Sequence, residues 1–379
     1  MKNWTLYRLL LRAIPPQGAV NASDLPKAQE EAVVRALRRH RCLGASLCLF
    51  DGRGITGRLA YGDARPGLPV TPRTVFRSAS VSKFVTGLGI LRLREQGLDI
   101  DRDVNDFLPF PLRHPKAPDT PITLRMLMTH TAGLRDGKAY NAGIVQGAPL
   151  SEILKGDSFT DHLPGTLWEY SNLGAGIAGS VVEGAAGAAF ETVMQRTVFQ
   201  PLGVTATFYP PLVRGELADA RRILPPHRGP NFDAEARRKK PLPEGGPDPE
   251  HHYNLAHGNL CLSAEDLARL GIAGMEPGFL QAETLEEMRK TAVPFGERAA
   301  NLSQGLFTFV LQDEKISSRP LYGHQGMAYG AVHGLFFDPA VHRGLAVLTT
   351  GASEARRGVL ADLNFDLMKT LLGEEAWTA

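Results

Sequence analysis

Three short stretches of this chain carry residue types that could make and break an acyl bond. "SVSK" sets Ser80 and Lys83 three residues apart. On a helix that spacing puts a hydroxyl and an amine on one face, where they can meet. A serine hydroxyl is a poor nucleophile at neutral pH and needs an adjacent base. A lysine in a dry cleft can shed its proton and serve as one. A helix N-terminus also favours negative charge developing on Ser80. Chance alone supplies about one Ser-x-x-Lys in a chain of this length, so by itself the pair is equally a polar first turn.

"WEYSN" adds Tyr170-x-Asn172, and "GHQGM" adds His324-Gln325-Gly326 followed by Met327. On an extended segment Tyr170 and Asn172 face the same side. A phenol beside an ammonium has its pKa lowered, because the opposite charge favours phenolate. Tyr170 would then take the Ser80 proton and return it to the leaving group, while Asn172 holds Lys83 and the acyl amide. Gly326 would let a substrate backbone lie against an edge strand. The N–H groups of Met327 and Ser80 would form the oxyanion pair that acyl transfer requires, with His324 positioning substrate and base. Taken singly, the Tyr-Asn pair is also a turn at a helix entry, and His324 an ordinary edge-strand histidine.

These residues must be carried by elements. "SDLPKAQEEAVVRALRRHRCLG" (23–44) reads as a helix with Pro26 in its first turn and Gly44 ending it. Residues 45–62 read as two strands around "DGRG". Helical spacing marks 82–97, 123–134, 172–187, 190–203, 263–274 and 354–373, and strands are expected at 305–312, 331–339 and 344–351. Residues 210–256, rich in Pro, Gly and charge, read as a long loop that is either a functional lid or a mobile segment. Strands thus lie toward both ends and helices in the middle. The expected fold is an α/β sandwich: an antiparallel sheet flanked by terminal helices, with an all-helical lobe inserted. The sheet domain would comprise 1–78 and 262–379, the helical domain 79–261, and the active site the cleft between them.

The bulk composition excludes other classes. The 379 residues carry a net charge of +2, too little to attract nucleic acid or an acidic membrane. "RRKK" (237–240) reads as a solvated loop. No stretch approaches the roughly 18 apolar residues of a membrane span. Arg8 and Arg12 interrupt the N-terminal apolar run, which makes a poor secretory signal and leads us to expect a cytoplasmic protein. Cys42, Cys48 and Cys261 fit no metal framework and read as free buried thiols. "GAGIAG" (174–179) follows no strand and reads as close helix packing; "DIDRD" (99–103) lacks the glycine and glutamate of a calcium loop; "HHYNLAH" (251–257) has no second ligand cluster.

Together the three motifs resemble the serine β-lactamase and penicillin-binding-protein superfamily. The likeness is greatest to its class C-like branch of family VIII carboxylesterases, D-aminopeptidases and DD-peptidases. That branch carries Ser-x-x-Lys, Tyr-x-Asn and Lys/His-x-Gly in this order. "TLRMLMTHTAGL", "PGTLWEYSNLGAGIAGSVVEG" and "LCLSAEDLARL" resemble it too, so the likeness spans about 30–370. It implies the β-lactamase/transpeptidase-like fold and an acyl-enzyme serine hydrolase acting on a small-molecule or peptide ester or amide. Ser80, Lys83 and Tyr170 would be catalytic, and Asn172, His324, Gly326 and Met327 would bind substrate, with no cofactor and no metal. The third triplet, His-Gln-Gly, departs from the Lys-Thr-Gly of class C β-lactamases. Neutral His324 is a weaker anchor for an anion, and Gln325 lacks the hydroxyl. This favours an esterase or a D-amino-acid peptidase or amidase over a β-lactamase proper. A non-catalytic scaffold retaining the fold is the rival of a different class.

Overall fold

The computed structural model of the protein describes residues 4–155, 157–224, 230–243, 245–290, 293–295 and 301–373. Parts of two stretches singled out above, 1–3 and, within 210–256, residues 225–229 and 244, lie outside the described residues. Thirteen strands matter here. They are β1 Val20–Ser23, β2 Gly44–Asp51, β3 Gly54–Arg65, β4 Leu68–Pro69, β5 Phe76–Arg77, β6 Ala206–Thr207, β7 Cys261–Leu262, β8 Val293–Pro294, β9 Leu302–Gln304, β10 Phe309–Leu311, β11 Leu321–Ala328, β12 Ala331–Asp338 and β13 Arg343–Thr350. The main sheet runs β1-β3-β2-β13-β12-β11-β10-β9-β8, with β4 paired to β3. Its first and last thirds join where β13 pairs antiparallel with β2 along all eight residues.

The sheet lies between helical layers. Helices Lys27–Arg39 and Asp362–Leu371 cover one face through Val33, Leu37, Leu363 and Met368. Helices Val81–Glu95 and Ala264–Met275 cover the other through Val85, Leu88, Leu267 and Leu270. With both faces covered, β12 is buried along its whole length and β13 from Gly344 onward, so the central strands read as unbroken apolar runs. The expected α/β sandwich of antiparallel sheet and helices is what the chain forms. No single helix among the described residues is long and apolar enough to cross a membrane.

Several expected boundaries move. An unforeseen helix, Trp4–Arg12, precedes the one expected over 23–44, which spans only Lys27–Arg39, with Pro26 as its cap. The chain leaves it through Arg41 in a left-handed conformation (φ 56°), and Gly44 opens β2 instead of ending the helix. Residues 305–312 are not one strand: 305–308 form the turn of the β9–β10 hairpin, with Phe307 left-handed (φ 49°). The C-terminal helix begins at Asp362, because 356–361 fold into a small hairpin of Arg356–Arg357 against Leu360–Ala361. In the middle of the chain a small sheet, β5-β7-β6, was not foreseen. Its strands have two residues each, too few for any periodicity to show.

The glycine-rich helix Asn172–Ala186 does pack closely. A Cβ on Gly176 would meet the Tyr253 carbonyl oxygen at 2.6 Å, and one on Gly179 would meet the Ala256 Cβ at 2.6 Å. The three cysteines are buried free thiols. Burial pushes the Cys48 and Cys261 thiols up to about 12, so they are inert at neutral pH.

Candidate active site

Ser80 caps the helix Val81–Glu95. The chain reaches it from β5 by a sharp turn at Ala79, which is left-handed (φ 50°). For a residue with a Cβ that conformation costs about 1 kcal/mol. Three hydrogen bonds hold the turn: Ser78 N donates to Leu260 O (2.7 Å), Ser82 Oγ to Ala79 O (2.6 Å), and Leu260 N to Ser82 Oγ (3.1 Å). The turn leaves Ser80 partly exposed, while residues 81–91 behind it are buried.

Lys83 lies one turn on, with no exposed surface. Its Nζ donates to Asn172 Oδ1 (2.7 Å) and His257 O (2.9 Å), and lies 3.2 Å from Ser80 Oγ. Burial, helped by the Arg77 charge and opposed by Asp136, lowers its pKa to about 7. A neutral amine has two N–H groups and one lone pair. The two shorter contacts are to acceptors that cannot donate, so they take the N–H groups. The longest, toward Ser80, is left for the lone pair.

Asp136 fixes this arrangement. Its carboxylate accepts from Asn172 Nδ2 (2.7 Å), Leu173 N (3.0 Å) and Ser171 Oγ (3.3 Å). The bond to Nδ2 forces the Asn172 amide to turn its oxygen to Lys83. Asp136→Asn removes a charge that favours the ammonium. It also sets amide donor against amide donor, so that Asn172 flips its NH2 toward Lys83. Both effects disfavour protonated Lys83. The acid limb of the pH–rate profile, expected near 7 in the native protein, should move about one pH unit lower in this variant, as measured by kcat/KM from pH 5 to 9.

Tyr170 joins the pair as a phenol, contrary to the phenolate expected. Its hydroxyl bonds to Ser80, which favours ionisation, but burial outweighs this and Asp136 adds to the rise, so its pKa lies well above 10. The Lys83 Nζ sits over the ring face, 4.9 Å from its centroid, and a lysine that titrates near 7 is no fixed cation. His130, left-handed (φ 56°) at the end of the "MTHT" turn, backs the Tyr170 ring at 4.5 Å and accepts from Ser171 N (3.3 Å) through Nδ1.

Strand β11 closes the other wall. Its hairpin with β12 turns through Tyr329 and Gly330, both left-handed (φ 60° and 88°), a type I′ turn. Ala328 and Ala331 flank the turn and exchange hydrogen bonds. By alternation Gln325 and Met327 direct their N–H and C=O groups away from β12. On that side β10 pairs only as far as Gly323, so the Met327 N–H points to an open edge. Gly326 presses on the nucleophile's turn: a Cβ there would lie 2.3 Å from Ser78 O and 3.1 Å from Ser80 N. Gly326→Ala therefore must displace backbone. It should cut kcat/KM on the order of a hundredfold and destabilise by about 2 kcal/mol, read from ester turnover and thermal unfolding.

His324 and Gln325 need correction. The His324 ring is 1% exposed and stacks on Phe309 (centroids 4.2 Å apart), and its Nδ1 donates to Gln325 O (2.6 Å). Burial, aided by the Lys83 charge, lowers its pKa to about 3. It is neutral at any working pH and lies beneath the site, not at its opening. The Gln325 side chain points to the opposite face, donating to Val359 O (2.6 Å) and accepting from Ala361 N (3.0 Å). The missing hydroxyl at 325 therefore bears on no substrate. Sequence reasoning also missed Asp136 and His257. Asp136 is one loop acid among many, and His257 acts through its backbone carbonyl, which no side-chain pattern reveals. The other histidines of "HHYNLAH" are engaged elsewhere: His251 with Asp248, and His252 with Glu183.

A serine hydrolase of the β-lactamase-related superfamily is the class of protein that this combination of fold and site defines. The chain belongs to the Beta-lactamase family, whose model matches residues 30–368. Esterase EstB of Burkholderia gladioli is 28% identical over 382 residues, spanning 91% of this chain and 95% of that protein. The structure of EstCE1, described as a hydrolase with promiscuous acyltransferase activity, superposes with a TM-score of 0.74 at 25% identity, covering 92% of this chain and 98% of that one. The D-amino acid amidase of Ochrobactrum anthropi SV3 shares the fold at 21% identity, with a TM-score of 0.70 over 91% of this chain and 98% of that one.

Proposed function

We propose that the protein hydrolyses carboxylic esters, and secondarily amides of the D-amino-acid type, through an acyl-enzyme on Ser80. The observation that carries this is the buried, near-neutral Lys83 aimed at Ser80 Oγ from 3.2 Å with its other two N–H positions occupied. Lys83 takes the Ser80 proton as Oγ attacks the carbonyl carbon. The N–H groups of Ser80 and Met327 hold the oxyanion. As the tetrahedral intermediate collapses, the Tyr170 phenol gives its proton to the leaving group and regains one from the Lys83 ammonium. Water then attacks the acyl-serine, passing its proton back through the same pair. Asn172 orients Lys83 throughout. The reading of an ester substrate is supported by the likeness to EstB and EstCE1 along nearly the whole chain. It is supported too by the absence of charge on His324, which leaves no cation from the third triplet to hold a β-lactam carboxylate.

The test is a fluorophosphonate probe and a substrate panel, with Ser80→Ala as the blank. The panel comprises short-chain nitrophenyl esters, D-amino-acid anilides, D-Ala-D-Ala peptides and a chromogenic cephalosporin. Labelling at Ser80 with ester turnover exceeding cephalosporin turnover is expected. Faster cephalosporin turnover would make the protein a β-lactamase, and neither labelling nor turnover would make it a scaffold.

A further inference from the structure

The helix Trp4–Arg12 has two apolar faces, one turned inward and one outward. Inward, Leu11 is buried, Trp4 and Tyr7 meet edge-on (ring centroids 5.5 Å apart), and the Tyr7 hydroxyl accepts from Glu354 N (3.2 Å). Arg8 fastens this face by two bonds to the Asp362 carboxylate (2.7 and 3.1 Å) and one to Arg356 O (3.2 Å). Outward, Leu6, Leu9 and Leu10 are 54, 56 and 52% exposed. Ala13, just past the helix, is exposed as well. Positions 6, 9, 10 and 13 follow the i, i+3, i+4, i+7 spacing, so they form one stripe along the solvent side. Single exposed leucines are ordinary, whereas a contiguous stripe marks an interaction surface.

Guanidiniums flank the stripe. Arg12 follows Leu9 by one turn and is exposed. The Arg356 guanidinium lies over the Trp4 ring (5.4 Å) at the first turn, and Arg41 Nε donates to Leu11 O (3.1 Å) at the last. These three arginines pair with no carboxylate among the described residues. The nearby carboxylates are engaged elsewhere: Asp362 by Arg8 and Arg357, Asp366 by Arg39 and His40, Glu354 by Arg222. Residues 4–23 contain no acidic side chain. The net charge of +2, taken over the whole chain, hides this local excess of cations.

A second copy of the chain suits this surface poorly. Three leucines and an alanine fall far short of the roughly 800 Å² per partner that a stable interface buries. A two-fold contact would also set the cationic rim against its own copy. An anionic bilayer surface satisfies both features. Leucines enter the acyl boundary, and arginine heads stay among the phosphates.

We propose that Leu6, Leu9 and Leu10, with Arg12, Arg41 and Arg356, dock the protein on a membrane surface rich in anionic phospholipid. The helix lies in the plane of that surface: nine residues rise about 14 Å, less than half of the roughly 30 Å hydrocarbon core. It packs at the start of Asp362–Leu371 and beside the turn that follows Lys27–Arg39. Those two helices cover the sheet face away from the helix behind Ser80, and neither supplies a group to the catalytic site. Docking and turnover are therefore separable.

The test is co-sedimentation of the full chain with two kinds of vesicle at low salt: phosphatidylcholine alone, and phosphatidylcholine with an equal part of phosphatidylglycerol. The partition coefficient on the anionic vesicles should exceed that on the neutral ones about tenfold and fall with added salt. Leu9→Ser combined with Leu10→Ser should lower it about tenfold. Arg12→Gln combined with Arg356→Gln should do the same. All four side chains are exposed, so both variants should melt with the native protein. Equal partitioning on the two kinds of vesicle, or partitioning that survives both pairs of substitutions, would overturn the proposal. So would a protein that binds neither vesicle but forms a dimer in sedimentation equilibrium that Leu9→Ser with Leu10→Ser dissolves; the stripe would then join two copies of the chain. Ester turnover does not enter these readouts, so the hydrolase reading stands or falls separately.

Discussion

Ser80→Ala should abolish ester turnover while leaving the fold intact. The expected loss in kcat is on the order of 10^4-fold, the scale seen when a nucleophile is removed from a unit that acts together. Stability should change by less than about 1 kcal/mol. The hydroxyl is partly exposed, and Lys83 keeps its bonds to Asn172 Oδ1 and His257 O. Steady-state hydrolysis of a nitrophenyl ester, intact mass after fluorophosphonate treatment and thermal unfolding together check it. A variant that keeps more than about one hundredth of native turnover would place the nucleophile elsewhere.

Lys83→Met should lose activity on a similar scale, on the order of 10^3-fold, and yet be more stable near neutrality. The sign follows from proton binding. Lys83 is held at about 7 in the folded protein against 10.5 for an ordinary lysine. Between those values the unfolded chain binds a proton that the folded chain does not, so native stability rises with pH across that window. Below it the folded protein carries a constant cost on the order of 5 kcal/mol. Methionine has similar length and no charge. Its substitution leaves two acceptors without a donor, at about 1–3 kcal/mol for each, so the net gain at pH 6.5 is about 1 kcal/mol. Melting temperatures of both proteins at pH 6.5 and 9.5 decide the matter. The variant should lead at the lower pH, and its lead should shrink or reverse at the higher. A native protein whose stability is flat between those values would refute the burial of a titrating amine.

The reacting groups were legible before any coordinates because each is a side chain whose chemistry depends on spacing. Ser80 and Lys83 share a helix face, and Tyr170 and Asn172 flank a helix cap. Longer elements such as β2, β3, β12 and β13 were legible through their apolar runs. What escaped was set by context. The Tyr170 phenol stays protonated because burial, invisible in sequence, outweighs its partner. Gln325 left the site because strand alternation sends it to the far face. Asp136 and the His257 carbonyl act only through where the chain brings them. The two-residue strands β5, β6 and β7 hold the nucleophile's turn but are too short to leave a pattern.

The contact between Gly326 and the left-handed turn at Ala79 has a consequence for anyone who would redirect this catalyst. Any side chain at 326 strikes a main-chain oxygen, and the ideal Cβ there already lies 3.1 Å from that of Ala79. The floor of the cavity is thus incompressible, and libraries randomised there would yield inactive protein. Laboratory evolution toward new acyl groups should therefore leave Gly326 and Ala79 unchanged and accumulate its changes elsewhere around the cleft.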